Sequence, residues 1–382
     1  MATATGIAAA NIYYNQPMLG LMERDLPGAS AAMIPTVTQL GYALGLFLLV
    51  PLGDLIERRR LIVGQFVVLA CALVALAAAP STPLVLAASL FVGIAATVAQ
   101  QIVPFAALLA APDRRGAAVG TVMSGLLAGI LLSRTLAGVV GAHAGWRAMF
   151  WLGVPLALAA GGVLAVRLPR SRPEAAITYG QLMASMVQLW RDYPQLRRAA
   201  MTQALLFASF STFWTILALH LQEPAIGLGA TAAGLFGILG LTGIVAAPIA
   251  GRVADRAGPH GPVMLGAALM FASWVVFGLW PSVPGLVCGV VLLDAAVQGA
   301  LVSNQHIIYA LNAEARSRLN TLFMGTMFCG GAAGSSLAAL AWTTGGWGRV
   351  CLFGAALGGA AIVVQILAWR SRARPSAAAL EQ

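Results

Sequence analysis

Apolar runs of about twenty residues, each long enough to cross the hydrocarbon core of a bilayer as a helix, recur along almost the whole chain. They cover residues 2–22, 31–52, 61–80, 83–111, 117–141, 147–166, 199–221, 229–250, 261–280, 283–311, 319–342 and 348–369. In hydrocarbon every backbone polar group must be satisfied within the segment, so runs of this length predict helices. The expected fold is an all-α membrane protein with twelve transmembrane helices. Of 382 residues, 60% are hydrophobic and 9% charged. That is too little charge to dress a soluble surface, so lipid must face most of the exterior.

The net charge of +10 invites a nucleic-acid reading, but its placement argues against one. All 22 basic residues are Arg. With the runs read as spans, 18 fall on alternate connections and the C-terminal tail, among them Arg58, Arg59, Arg60, Arg252, Arg256 and Arg370. Three (Arg24, Arg147, Arg349) fall on the opposite connections, and Arg134 lies inside a span. This is the positive-inside pattern, and it predicts both termini in the cytoplasm. The N-terminus has no basic region, and Asn11 to Gln16 interrupt its apolar run, so no cleavable signal peptide is expected. Cys71, Cys288, Cys329 and Cys351 lie in apolar runs and read as small core residues, without a disulfide framework. His143, His220, His260 and His306 are scattered, so no metal site is expected. His306, two residues after Asn304, can face the cavity but reads first as a core histidine, and His260 reads as an exposed loop residue.

The one long connection, 167–198, divides the spans six and six. It places an N-terminal six-helix bundle at 1–166, a C-terminal bundle at 199–369 and a cytoplasmic tail at 370–382. Within the connection, Leu182, Met186, Leu189, Trp190 and Tyr193 recur at helical spacing, as in an amphipathic helix lying on the cytoplasmic face. The halves echo each other. Gly53-Asp54 with Arg58 to Arg60 follows span two, and Gly251 to Gly258 follows span eight, with the two Asp positions 201 residues apart. The loop around Asp113 to Gly116 is echoed by Glu314 to Arg318. Such a repeat marks a duplicated, pseudo-symmetric transporter fold with its site between the halves. Gly41 and Gly45, Gly125 and Gly129, and Gly330 and Gly334 have small-residue spacing, and Gly234, Gly237, Gly240 and Gly243 form a longer series. These suit close helix packing, and also two halves that rock against each other.

Gly251-Arg252-Val253-Ala254-Asp255-Arg256-Ala257-Gly258 matches the G-x-x-x-D-R-x-G signature of the major facilitator superfamily. The first-half copy is degenerate, with Val50 and Glu57 where the family prefers Gly. Ala10 to Pro17, Gly129 to Gly138 with Ser133-Arg134, and Arg316 to Thr321 resemble a bacterial subgroup of drug–proton and arabinose-type efflux permeases. The resemblance implies the major facilitator fold, a multi-pass protein of the bacterial inner membrane, and a monomer that is neither an enzyme nor dependent on a cofactor. It departs at Ser89, where many efflux members carry Arg, at Ser133-Arg134 in place of a Gly-Pro motif, and in span one, which has no acidic residue.

Of the 12 carboxylates, only Asp294 lies deep in a span. An ionisable group there is costly and points to function with a partner, and Arg134 is the one intramembrane Arg. Asp294 is expected to carry a proton or a cationic substrate, with Arg134 as counter-charge or anion site; a static ion pair is the alternative. The resemblance implies that spans one, four, seven and ten line a central cavity. Their polar and aromatic residues are Asn11, Tyr14, Asn15, Gln16, Gln100, Gln101, Gln203, Trp214, Gln298, Asn304 and Gln305, with Gln39 in span two. They can hold a small polar or amphipathic molecule, or merely bond helix to helix. Pro17 and Pro104 can bend their helices. The resemblance also implies gating by charge clusters at Asp54, Arg58 and Arg59 and at Asp255 and Arg256. The expected activity is secondary transport by alternating access: proton-coupled efflux of a drug, sugar or metabolite. Uptake or uniport of a sugar or organic acid, and a non-transporting sensor, remain alternatives.

Overall fold

The computed structural model describes residues 1–26, 31–111, 114–171, 178–312 and 314–373. Asp113, Arg172 and Arg374 therefore lie outside the described residues. Among those described, every regular element is helical. Ten helical segments are long and apolar enough to cross a membrane. The last, Arg316–Arg370, folds back at Gly345 and Gly346, where Gly346 takes a φ of 59°, and so contains spans eleven and twelve. Span one supplies the twelfth, in two pieces, Ala2–Ala10 and Asn15–Asp25. Its break has a local cause: Pro17 has no N–H to offer the carbonyl of Tyr13, and Gln16 bonds that carbonyl instead at 3.3 Å.

The remaining spans are Met33–Asp54 (two), Arg58–Ala78 (three), Thr82–Leu109 (four), Arg115–Ala144 (five), Trp146–Arg167 (six), Pro194–Leu221 (seven), Ala230–Ala257 (eight), His260–Leu279 (nine) and Val283–Tyr309 (ten). Span eight contains a 3₁₀ turn, Gly237–Gly240, in mid-membrane. Span seven is almost wholly buried and packs chiefly on the hairpin of spans eleven and twelve, and less on span ten.

The helix Tyr179–Asp192 opens with a capping box between Thr178 and Gln181. It does not turn its apolar stripe to lipid. Leu182, Met186 and Leu189 are buried, and the last two pack with Leu196, Ala199 and Leu319 of the second half. Tyr179 also donates to the Leu48 carbonyl of the first half at 3.1 Å.

The glycine pairs serve packing within the halves. Gly45 meets Ile94, Gly129 meets Gly6, and Gly330 meets Ala204. Between spans five and eight, the contact across the halves is made by Gly138 and Gly234. A Cβ on Gly138 would stand 2.6 Å from the Ala230 carbonyl oxygen and 2.8 Å from the Gly234 Cα. Thr135 donates to the Gly234 carbonyl at 3.1 Å. Spans five and eight therefore touch in the Arg-poor half of the membrane. Beyond Gly240 they part, and Leu241–Ala257 packs on span ten instead. Three of the four cysteines face outward, and only Cys351 is buried; a thiol costs little against lipid, so burial is not required of it.

Candidate substrate and proton site

Where the halves part, a cleft of about 440 Å³ opens at the Arg-rich end. Leu46, Gln100 and Pro104 line it from the first half, and Tyr309, Arg316 and Asn320 from the second. A continuous series of ring contacts leads inward from it. Gln100 donates to the Tyr42 hydroxyl at 3.2 Å. Ring centroids then follow at 4.3 Å (Tyr42 to Phe328), 5.0 Å (Phe328 to Phe207), 5.5 Å (Phe207 to Phe210) and 6.1 Å (Phe210 to Trp214).

The series ends at Arg134. Its guanidinium carbon lies 4.0 Å from the Trp214 ring centroid, 4.7 Å from Tyr13 and 5.8 Å from Phe210. Its Nε donates to Gln16 Oε1 at 3.0 Å. The space beside it, bounded by Gln16, Pro17, Trp214 and Leu217, is too tight for a water molecule. Asp294 is also buried, at 5% exposure. The static ion pair that stood as the alternative is not formed. Arg134 Nη2, Asp294 Oδ2 and the Trp214 indole nitrogen have no hydrogen-bond partner among the described residues. The Gly237–Gly240 turn of span eight lies against both, Gly237 facing Arg134 and Gly240 facing Asp294. Unpaired polar groups are costly in hydrocarbon, so a triad like this is a focus for a proton, a ligand or a change of state.

The sequence profile of the Major Facilitator Superfamily matches residues 1–262 and 199–382, between them the whole chain. The chain belongs to this superfamily. It is 41% identical to the uncharacterized transporter YgaY of Escherichia coli O157:H7, over 99% of this chain and 96% of that one. It is 27% identical to a chloramphenicol resistance protein of Streptomyces lividans, over 84% and 82%. A crystal structure of the nucleoside transporter NupG superposes with a TM-score of 0.76 at 12% identity, covering 95% of this chain and 98% of that one, a likeness of fold alone. The protein is thus a multi-pass membrane transporter of the major facilitator type.

Other expected site residues are distributed unevenly. Gln16 and Trp214 stand at the Arg134 centre, and Gln100 on the cleft. Gln305 is near the cleft through Asn320, at 3.4 Å. Gln39 joins the halves by accepting from Ser211 at 3.1 Å. Tyr14 is buried at the break in span one. The rest are turned to helix packing. Asn11 donates to the Ile7 carbonyl at 2.7 Å and Asn15 to Thr38 at 3.1 Å. Gln101 ties down the end of span two through the Leu49 carbonyl at 2.6 Å. Asn304 and Gln203 bond to each other at 3.1 Å, and Gln298 packs on Gly243. Each lies on a face of its helix that meets another helix of the same half, and the Oδ1 atoms of Asn11, Asn15 and Asn304 have no partner there among the described residues.

The loop residues engage partners in their own halves. Asp54 pairs with Arg58 at 3.4 Å, and Arg59 donates to the Leu168 carbonyl at 3.3 Å. Asp255 pairs with His306 at 3.6 Å, while Arg256 is exposed. His306 is therefore not a core residue: its side chain is 49% exposed where span ten emerges at the Arg-rich end. Sequence reasoning missed Tyr13, Phe210 and the rings of Tyr42, Phe207 and Phe328. The helical spacing of Phe207, Phe210 and Trp214 on span seven was the available signal.

Proposed function

We propose that this protein is a proton-coupled exporter of small amphipathic molecules, with Asp294 as the proton carrier. The observation that carries the reading is the buried carboxylate of Asp294, whose Oδ2 has no partner among the described residues, near Arg134, whose Nη2 has none either. A carboxylate in that setting gains or loses a proton according to which side it faces, and each form favours a different arrangement of the charges around it. The Arg-rich end is the cytoplasmic one by the positive-inside rule, in a bacterial inner membrane with both termini inside. The conformer then faces the cytoplasm: molecules enter the cleft, and the Gly138–Gly234 contact closes the outer end. The name of the relative from Streptomyces lividans supports export, since an exporter confers resistance to the compound it removes.

The test is transport in proteoliposomes under an imposed pH gradient, against a chemical library that includes chloramphenicol. Substrate-dependent proton movement is expected, and its loss in a folded Asp294→Asn variant. If no compound moves protons, or if Asp294→Asn stays coupled, Asp294 is not the carrier.

A further inference from the structure

The Arg134 centre has the composition of a site for a cation other than Arg134. Tyr13 comes from one half, Phe210 and Trp214 from the other, and their rings surround a positive charge at 4.0 to 5.8 Å. Aromatic faces attract lipophilic and quaternary cations by the same quadrupole that holds a guanidinium. Arg134 is held there by these rings and one hydrogen bond, to Gln16. Its Nη2 is unpartnered among the described residues, as is Oδ2 of the nearest carboxylate of opposite charge, Asp294.

Span eight leaves a way between them. Gly237 and Gly240 stand three residues apart on a 3₁₀ turn and so share a face. A Cβ on Gly237 would stand 2.8 Å from Arg134 Cβ, and one on Gly240 3.3 Å from Leu131 Cδ1 and 3.9 Å from Asp294 Oδ2. Neither glycine places a side chain between the two charges.

We propose that Arg134 is a tethered stand-in for an organic cation: it fills the aromatic cage while Asp294 is protonated, and swings to Asp294 when the proton leaves, vacating the cage for the substrate. The proposal rests on Asp294 being the proton carrier. It balances charge. Protonated Asp294 with caged Arg134 carries one positive charge, and so does the Arg134–Asp294 pair with a monovalent cation in the cage. Each cation bound releases one proton, which is exchange of one for the other. The ring series from the cleft gives such a cation successive faces to move along.

The experiment measures binding of tetraphenylphosphonium to the purified full chain, with proton release followed in weak buffer. Wild type is expected to release close to one proton per cation bound. Asp294→Asn should weaken binding by at least about tenfold, because Arg134 then stays in the cage. Adding Arg134→Met should restore the affinity, now without proton release. Gly240→Val, which obstructs the passage, should weaken binding with Arg134 present and have little effect in the Arg134→Met background; it tests the same claim if the double variant does not fold. Failure of Arg134→Met to rescue, or binding of salicylate in place of the cation, overturns the stand-in while leaving proton coupling intact. Proton release that persists in Asp294→Asn overturns the carrier assignment, and this proposal with it.

Discussion

The two seams between the halves are built differently. Spans two and eleven interlock by side chains along their length, with Met33 at Ser336, Gln39 at Gly331, Tyr42 on Phe328 and Phe47 on Gly325. Spans five and eight instead meet backbone to backbone at Gly138 and Gly234, and separate beyond Gly240. An interlocked seam can slide while staying in contact. A backbone clasp either fits or does not, because packed interfaces are bistable rather than elastic. The clasp also adjoins Arg134 and leads into the 3₁₀ turn that faces Asp294.

The comparison can be broken most severely at the clasp. Gly138→Leu has no room beside the Ala230 carbonyl. It should cut transport roughly a hundredfold, equivalent to about 2.7 kcal/mol, by holding the outer end open. Labelling of Thr135→Cys by an impermeant maleimide from the Arg-poor side should accelerate in that background. A wild-type transport rate would show that the clasp is not a gate.

On the other seam, Tyr42→Ala removes a buried ring tilted against Phe328. Up to about 3 kcal/mol of stability should be lost, read as a lower melting temperature in detergent, without faster labelling at Thr135. Faster labelling would mean that the seams are not independent. Gln39→Leu breaks the bond to Ser211 and leaves that hydroxyl to other partners. Intramembrane hydrogen bonds average about 0.6 kcal/mol, and 1.7 kcal/mol is a rough ceiling for the shift in melting experiments here. Thr135→Val should have the smallest effect, about 0.6 kcal/mol or less, because the glycine contact survives loss of its bond to Gly234. A loss of transport as large as that of Gly138→Leu would assign the clasp to the hydroxyl.

The two loop motifs show how far a signature reads through to structure. The second copy keeps the family pattern, yet its Asp255 finds only the exposed His306 and its Arg256 faces solvent. The first copy departs from the pattern, and the departure is used. Glu57 caps span three by accepting from the Arg59 and Arg60 amides, and accepts from the Ser171 amide as well, pinning the long connection to the first half. A motif records what a family tolerates at a position. The bonds formed depend on which neighbour the local backbone presents.

Among the buried polar residues the same limit applies. Asp294 and Arg134 stood out from sequence because charge in hydrocarbon is expensive wherever it points. Gln16, Gln100, Asn15 and Gln203 looked alike, since an amide in a span signals only that some partner exists. The rings of Tyr13, Phe207 and Phe210 gave at most the helical spacing of span seven, because an aromatic residue in an apolar run is equally at home against lipid.

The helical spans and the superfamily were determined by sequence, because a bilayer forces each crossing to be a long, self-bonded apolar helix. Tertiary structure alone decided that Arg134 turns to three rings and Gln16 instead of Asp294, and that Gly138 and Gly234, not the paired glycines, join the halves. The physical reason is rotation. An apolar helix in lipid can turn any face inward, and only the fit against helices far away in the chain fixes which face that is.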